Sequence, residues 1–248
     1  MNLEIKNLSV KVDNDYIMND ISFSVIEHQT CIIIGSHGYY NGILLKVFGG
    51  FQAPVKGTVF IEGKDIYSKT EDEITDLRRK ISFVFQEGAF LSNLSIIENL
   101  LLPVQFYSKN FVKSKVMDEI MEYCEYFNLS DVLEKRPEFI SYTSRKLLSL
   151  IRAMITHPEM IIIDKPLFNL DIRNQIKVIN LLKGIKKDGK TLVMASNSFD
   201  IIKSIADQVV HIENELIQEI MPSKNPNFLK EIKKLDILSD LVGVEDEV

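Results

Sequence analysis

The chain has 248 residues, 46% of them apolar, enough for one large domain, or a domain with a subdomain, around a sizeable core. Its net charge of −6, with the lysines dispersed among acids, argues against a nucleic-acid-binding surface. No apolar run reaches the ~18 residues that a membrane span needs, and Met1-Asn2-Leu3-Glu4-Ile5 alternates like a strand and lacks a signal peptide's apolar stretch. Cys31 and Cys124 lie inside apolar stretches and read as free buried thiols of a reducing compartment.

In chain order, residues 3–11 and 20–26 read as short strands separated by the polar turn Asp13-Asn14-Asp15. Thr30 to Ile34 is a buried strand, and a helix is expected over Ile43 to Phe48. A turn at Pro54-Val55-Lys56-Gly57 leads to a strand, Thr58 to Glu62, and Ile81 to Phe85 is another buried strand. Helical periodicity then dominates from about 87 to 155, with Ile96, Ile97, Leu100, Leu101, Val116, Ile120, Tyr123 and Phe127 at three- and four-residue steps. Strands are expected at Met160–Ile163, Thr191–Ala195 and Gln208–Glu213, and helices at Asn174–Ile185 and Asp200–Ala206. Apolar strands alternating with helices imply a mainly parallel sheet covered on both faces, here split by a helical insertion. From about Pro222 the chain reads as a charged tail with one amphipathic set, Phe228, Ile232, Leu235 and Leu238.

The segment Gly35-Ser36-His37-Gly38-Tyr39-Tyr40-Asn41-Gly42 follows a strand and opens a helix, the setting of a phosphate-binding loop of pattern G-x-x-x-x-G-K-[ST]. Gly35 and an extra glycine, Gly38, stand. The pattern's second glycine is Tyr40, its lysine is Asn41 and its metal-binding hydroxyl is Gly42. A phosphate cradle needs bare backbone N–H groups, a positive charge and a metal ligand. Loss of one charged phosphate contact costs on the order of 2–5 kcal/mol.

This order of pieces resembles the ATP-binding-cassette (ABC) ATPase domain over about residues 2–220, nearly without gaps. Phe83-Val84-Phe85-Gln86 looks like the strand ending in the family's Q-loop glutamine, and Ile140-Ser141 falls where the L-S-G-G-Q signature begins. Asp164 lies at the Walker-B aspartate, and Asn169-Leu170-Asp171 looks like the D-loop. The resemblance implies an α/β fold with a mainly parallel P-loop core sheet, an antiparallel β subdomain and a helical subdomain. The expected boundaries are 1–86 with 156–221 for the core, 87–155 for the helical part and 222–248 for a C-terminal extension.

Carried over residue by residue, the resemblance also implies damage. Lys165 stands where the family has its general-base glutamate, and Asn197 where it has the switch histidine. Tyr142, Thr143 and Ser144 replace the last three signature residues, leaving only Ser141 to reach a partner's phosphate. The adenine-stacking aromatic falls near Val12, with Tyr16 as a misplaced substitute. Gln86, Asp164, Asp171, Gly35 and Gly38 survive, but such residues also shape loops. Two plainer readings stand beside these: Tyr39 and Tyr40 plug an emptied pocket, and Lys165 forms a local salt bridge with Asp164 or, alternatively, points at a partner's phosphate. His37 and His157 read as loop residues, because no His or Cys partner has metal spacing.

The expectation is therefore a pseudo-ATPase subunit of an ABC transporter, peripheral on the inner face of the cell membrane. It would pair with a second cassette, itself or an intact homologue, and hold transmembrane permease subunits. No nucleotide cofactor is expected unless the site is remodelled, and no nucleic acid. Exposed Phe90 and Leu91, with Pro137 and Phe139, are the expected coupling contact. Gly88-Ala89 after the glutamine, and the tail, are similar to cassettes of bacterial lipid-transport (MCE-type) systems, whose extension can embrace the partner. The alternatives are a weak or partner-completed ATPase using Ser141, and a soluble scaffold cassette.

Overall fold

The computed structural model describes residues 1–36, 38–68, 70–107 and 112–235. Leu238, and the end of the tail with it, lies outside the described residues, as does His37. Two strands, β1 (Leu3–Val12) and β2 (Asp15–Val25), form an antiparallel pair. They join β4 (Lys56–Ile61) and β5 (Lys64–Asp65) in a four-stranded sheet of order β2-β1-β4-β5. The second sheet holds β3 (Thr30–Ile34), β6 (Ile81–Val84), β7 (Met160–Asp164), β8 (Thr191–Ala195), β9 (Gln208–Glu213) and β10 (Leu216–Pro222). Its order is β10-β9-β3-β8-β7-β6, parallel throughout except for β10.

Period-2 alternation divides the core in two. Cys31 and Ile33 of β3 face one apolar cluster with α1 (Gly38–Phe48) and the four-stranded sheet. Ile32 and Ile34 face the other, built with α3 (Ile96–Tyr107), α4 (Lys113–Phe127), α5 (Tyr142–Met154), α6 (Ile172–Lys187) and α7 (Phe199–Ile205). A strand buried on both faces has no polar position to spare, which is why β3, β7 and β8 are continuous runs of buried residues. Cys31 is fully enclosed, and burial pushes its thiol up to about 12.

The structure corrects several expected boundaries. The second strand begins at Asp15 rather than at 20, and α1 begins at Gly38 rather than at 43. Helix α2 (Glu71–Lys80) was not expected; it is a polar surface helix nucleated by a capping box between Thr70 and Glu73. Strand β10 extends the sheet edge. The tail is not simply solvated: α8 (Phe228–Lys233) buries Phe228 and Ile232 in the chain's own core, with Leu235 packed against it.

Candidate nucleotide site

Gly35, Asp164, Ser196-Asn197 and Gln86 all follow or end parallel strands at their carboxyl ends, the place where open α/β sheets hold ligands. Gly35 is required by space: a Cβ there would stand 2.5 Å from the Ile212 carbonyl oxygen. Its backbone is tied to the switch position. The Gly35 N–H donates to Asn197 Oδ1 at 3.2 Å, and Asn197 Nδ2 donates to the Gly35 carbonyl at 3.0 Å.

Asp164 is the chemical centre. It is 7% exposed, and its Oδ1 has no hydrogen-bond partner among the described residues. A Cβ on Gly42 would come within 2.7 Å of Asp164 Oδ2, so the carboxylate occupies the space of the side chain absent at 42. Burial raises the Asp164 carboxyl above its ordinary range, opposed by the charges of Lys146, Lys165 and Lys46. Lys146 is itself 2% exposed and donates from Nζ to the Asp164 carbonyl at 2.7 Å. Burial lowers its ammonium from 10.5 to about 8, countered by Asp164. The expected salt bridge between Lys165 and Asp164 is not formed within 4.0 Å: Lys165 acts on the carboxylate only at longer range, and its Nζ lies 5.5 Å from the Phe168 ring centroid. Successive residues at a strand end project to different sides, and Lys165 adds a left-handed turn at φ 46°.

Two clefts flank this centre. One, of about 340 Å³, is bordered by Asn41, Lys165, Phe168 and Asn197. The other, of about 750 Å³, is bordered by Gly42, Lys46, Gln86, Arg145, Asp164 and Lys165. The expected plug is not where it was placed: Tyr40 packs half-buried against the cluster under the four-stranded sheet and borders neither cleft. The side chain of Tyr39 lies outside the described residues. Tyr16 carries Lys11 Nζ over its ring at 4.3 Å.

The signature residues have structural employment. Ser141 caps α5, its Oγ accepting from the Ser144 N–H at 3.0 Å. Tyr142 donates its hydroxyl to the Gln86 carbonyl at 2.9 Å, and Thr143 and Ser144 follow in the helix's first turn. Asp171 caps α6, and the Asn174 backbone N–H and side-chain amide hold its carboxyl below the ordinary range. Of the expected coupling residues, Phe90 and Pro137 meet on the larger cleft, whereas Leu91 and Phe139 stand exposed. Phe90 corrects the expectation of exposure: it is half-buried under the Arg152 guanidinium, 4.6 Å from its ring centroid. An unexpected groove of about 300 Å³ lies nearby, where Phe51, Phe83 and Phe85 stack with centroids 4.4 to 5.4 Å apart.

Lys146 and Lys46 were missed by sequence reasoning. Lys146 carried a signal, because Lys146, Leu147, Leu150 and Ile151 share the inward face of α5 and a lysine there requires a partner.

A family model described as "ABC transporter" matches residues 18–168, and the chain belongs to that family. It is similar to the methionine import ATP-binding protein MetN of Clostridioides difficile, 24% identical over 98% of this chain and 74% of the relative. The Brucella abortus MetN is 28% identical over 89% of this chain and 59% of its own length. The molybdate/tungstate import ATP-binding protein WtpC of Thermococcus kodakarensis is 27% identical over 82% and 60%. The chain thus spans about three-fifths to three-quarters of these curated relatives. The dimeric, post-hydrolysis ATP-binding cassette MJ0796 bound to ADP and Pi superposes with a TM-score of 0.81, 23% identity, 89% of this chain and 98% of that one. At that identity it establishes the α/β ABC ATPase fold.

These findings overturn the expectation of no cofactor. The relatives are named ATP-binding proteins and the matching cassette holds ADP and Pi, so nucleotide with magnesium is the group to test against the site. The residues fit, with fewer groups than the motif normally supplies. The unpartnered Asp164 Oδ1, with Gln86 on the same cleft, would hold the metal. The N-terminus of the 11-residue α1 would meet the phosphates. The metal would supply charge neutralisation.

Proposed function

We propose that this chain is the cassette subunit of a membrane transporter, binding nucleotide at the carboxyl ends of its parallel strands but impaired in hydrolysing it. The observation that carries the impairment is the switch position, where both halves of the Asn197 amide are engaged with Gly35. A neutral, engaged amide brings no positive charge to a phosphate. Beside Asp164, Lys165 offers an ammonium where a base is needed, and an ammonium accepts no proton from water. The partner-completed alternative is weakened because Tyr142 and Thr143, not bare glycines, follow Ser141 in the first turn of α5.

On this reading the subunit sits on the inner face of the membrane and pairs with a second cassette and with permease subunits. The core, 1–86 with 156–221, carries the nucleotide, and the helical part, 87–155, shares permease docking with the aromatic groove at Phe51. Phe51 is 51% exposed beside two further phenylalanines, a fit for an apolar anchor. Import of a small solute is favoured over lipid transport, because the relatives are named for methionine and for molybdate/tungstate import. The lipid reading leaned on Gly88-Ala89 and on the tail after 222, and in the described part of that tail Phe228 and Ile232 are buried in this chain.

The test is calorimetric binding of Mg-ATP together with phosphate release. The parent is expected to bind and to release no phosphate above background. The triple variant Asn41→Lys, Lys165→Glu, Asn197→His is expected to gain about a hundredfold, the low end of what one general base contributes. Phosphate release by the parent at the triple variant's rate would overturn the impairment.

A further inference from the structure

The positive charge missing at 41 has a replacement on the opposite wall of the site. Lys165 borders both clefts, the one that holds Asn41 and the one that holds Gly42. Its backbone is fixed, the N–H donating to the Ala195 carbonyl at 3.0 Å with φ at 46°. A lysine gains nothing from that left-handed conformation, so the surrounding structure imposes it. Among the described residues its ammonium makes no ion pair within 4.0 Å; it acts on Asp164 only at longer range, and its Nζ lies 5.5 Å from the Phe168 ring centroid.

The charge balance at the buried end calls for an anion. Lys46, Lys146 and Lys165 all act electrostatically on a single buried carboxylate, Asp164. Lys146 is occupied with the Asp164 carbonyl, which leaves Lys46 and Lys165 facing the clefts. The other acids on the larger cleft, Glu87 and Glu138, are exposed at its rim. Two cations beside one carboxylate concentrate a multiply charged anion, while the unpartnered Asp164 Oδ1, an acceptor, leaves room for a cation or donor that accompanies it.

We propose that Lys165 has taken over the phosphate-binding role of the absent loop lysine, its ammonium holding a phosphate of the bound nucleotide from the strand side. This rests on the nucleotide-binding reading above. It gives Lys165 a positive task, where the family comparison alone gives it only a loss.

The experiment is titration of Mg-ATP and Mg-ADP into the parent, Lys165→Gln, Lys165→Arg and, as a surface control, Lys203→Gln, with thermal melts confirming equal folding. Lys165→Gln is expected to weaken binding about tenfold or more, which is 1.4 kcal/mol. Lys165→Arg should stay within about threefold of the parent, since it keeps the charge, and Lys203→Gln should not change. Parent binding that Lys165→Gln leaves intact overturns this inference alone. Equal loss in the Arg and Gln variants also overturns it, because charge would then not be what matters. No binding by the parent overturns both this inference and the nucleotide reading.

Discussion

The two ends of helix α1 face opposite tasks. At its N-terminal end, Asn41 and Gly42 border clefts lined with charges, and a buried carboxylate oxygen has no partner. Just past its C-terminal end, Gly49, Gly50 and Phe51 border a groove whose aromatic rings satisfy one another by packing. One end is completed only by a ligand; the other is complete in itself and still presents an apolar face. The first end is polar and charged, the second aromatic.

Breaking the docking end should have the largest effect. Phe51→Asp places a charge at the centre of the exposed aromatic set, and co-purification with the permease should be lost while Mg-ATP binding stays unchanged. Loss of nucleotide binding in that variant would mean that the two ends are not independent. At the phosphate end, Asn197→Ala removes two hydrogen bonds to Gly35 and should cost about 1–3 kcal/mol in denaturant unfolding.

Lys146 sharpens the comparison through pH. Its folded ammonium titrates at about 8 rather than 10.5, so between those values the unfolded chain binds more protons. Lys146 therefore contributes stability that grows as pH increases from about 8 to about 10, opposed above pH 9 by the buried thiols of Cys31 and Cys124, so the check is the difference in Tm between wild type and Lys146→Met. A difference that does not change with pH over this range would refute the buried-ammonium account. The smallest effect is expected for Gly42→Ser. The neighbour it meets is the tip of the Asp164 side chain, which can rotate away, so stability should change by less than about 1 kcal/mol.

Much of the fold was legible because the central strands are buried on both faces and read as unbroken apolar runs. Thr191–Ala195 and Gln208–Glu213 lie where the pattern put them. The elements that escaped were those whose sequence carries no apolar period. Helix α2 is Glu-Asp-Glu-Ile-Thr-Asp-Leu-Arg-Arg-Lys, with a capping box at its start and, of its apolar residues, only Ile74 and Leu77 turned inward, Leu77 against the core, too short an apolar set to stand out in the sequence. Strand β10 lies at the sheet edge with most of its residues outward. The start of α1 was misplaced because Gly38-Tyr39-Tyr40 has little intrinsic helix preference, and tertiary packing decides there.

The same division holds at the site. Order along the chain was enough to gather Gln86, Asp164 and Asn197, since parallel strands bring their carboxyl ends to one edge. What each residue does there depended on neighbours distant in sequence. Asn197 is spent on Gly35, 162 residues away, and Asp164 answers to Lys146 on α5. Part of the tail escaped for a related reason: Phe228 and Ile232 read as one amphipathic set in a charged tail, and only the folded chain reveals that they bury themselves in its own core.

Helix α5 is fastened to the rest of the molecule at four points along its length: Tyr142 to Gln86, Arg145 to Pro137, Lys146 to Asp164, and Arg152 to Gly88 and Ala89. A helix held this way does not open alone. Its slowest backbone amides should exchange with deuterium only when strands β6 and β7 open as well, so that the helix and the sheet edge form a single cooperative unit. Elements that move in response to ligands come from the low-stability end of a structure. A helix whose opening costs as much as the core's is instead suited to carrying force unchanged from one subunit to the next.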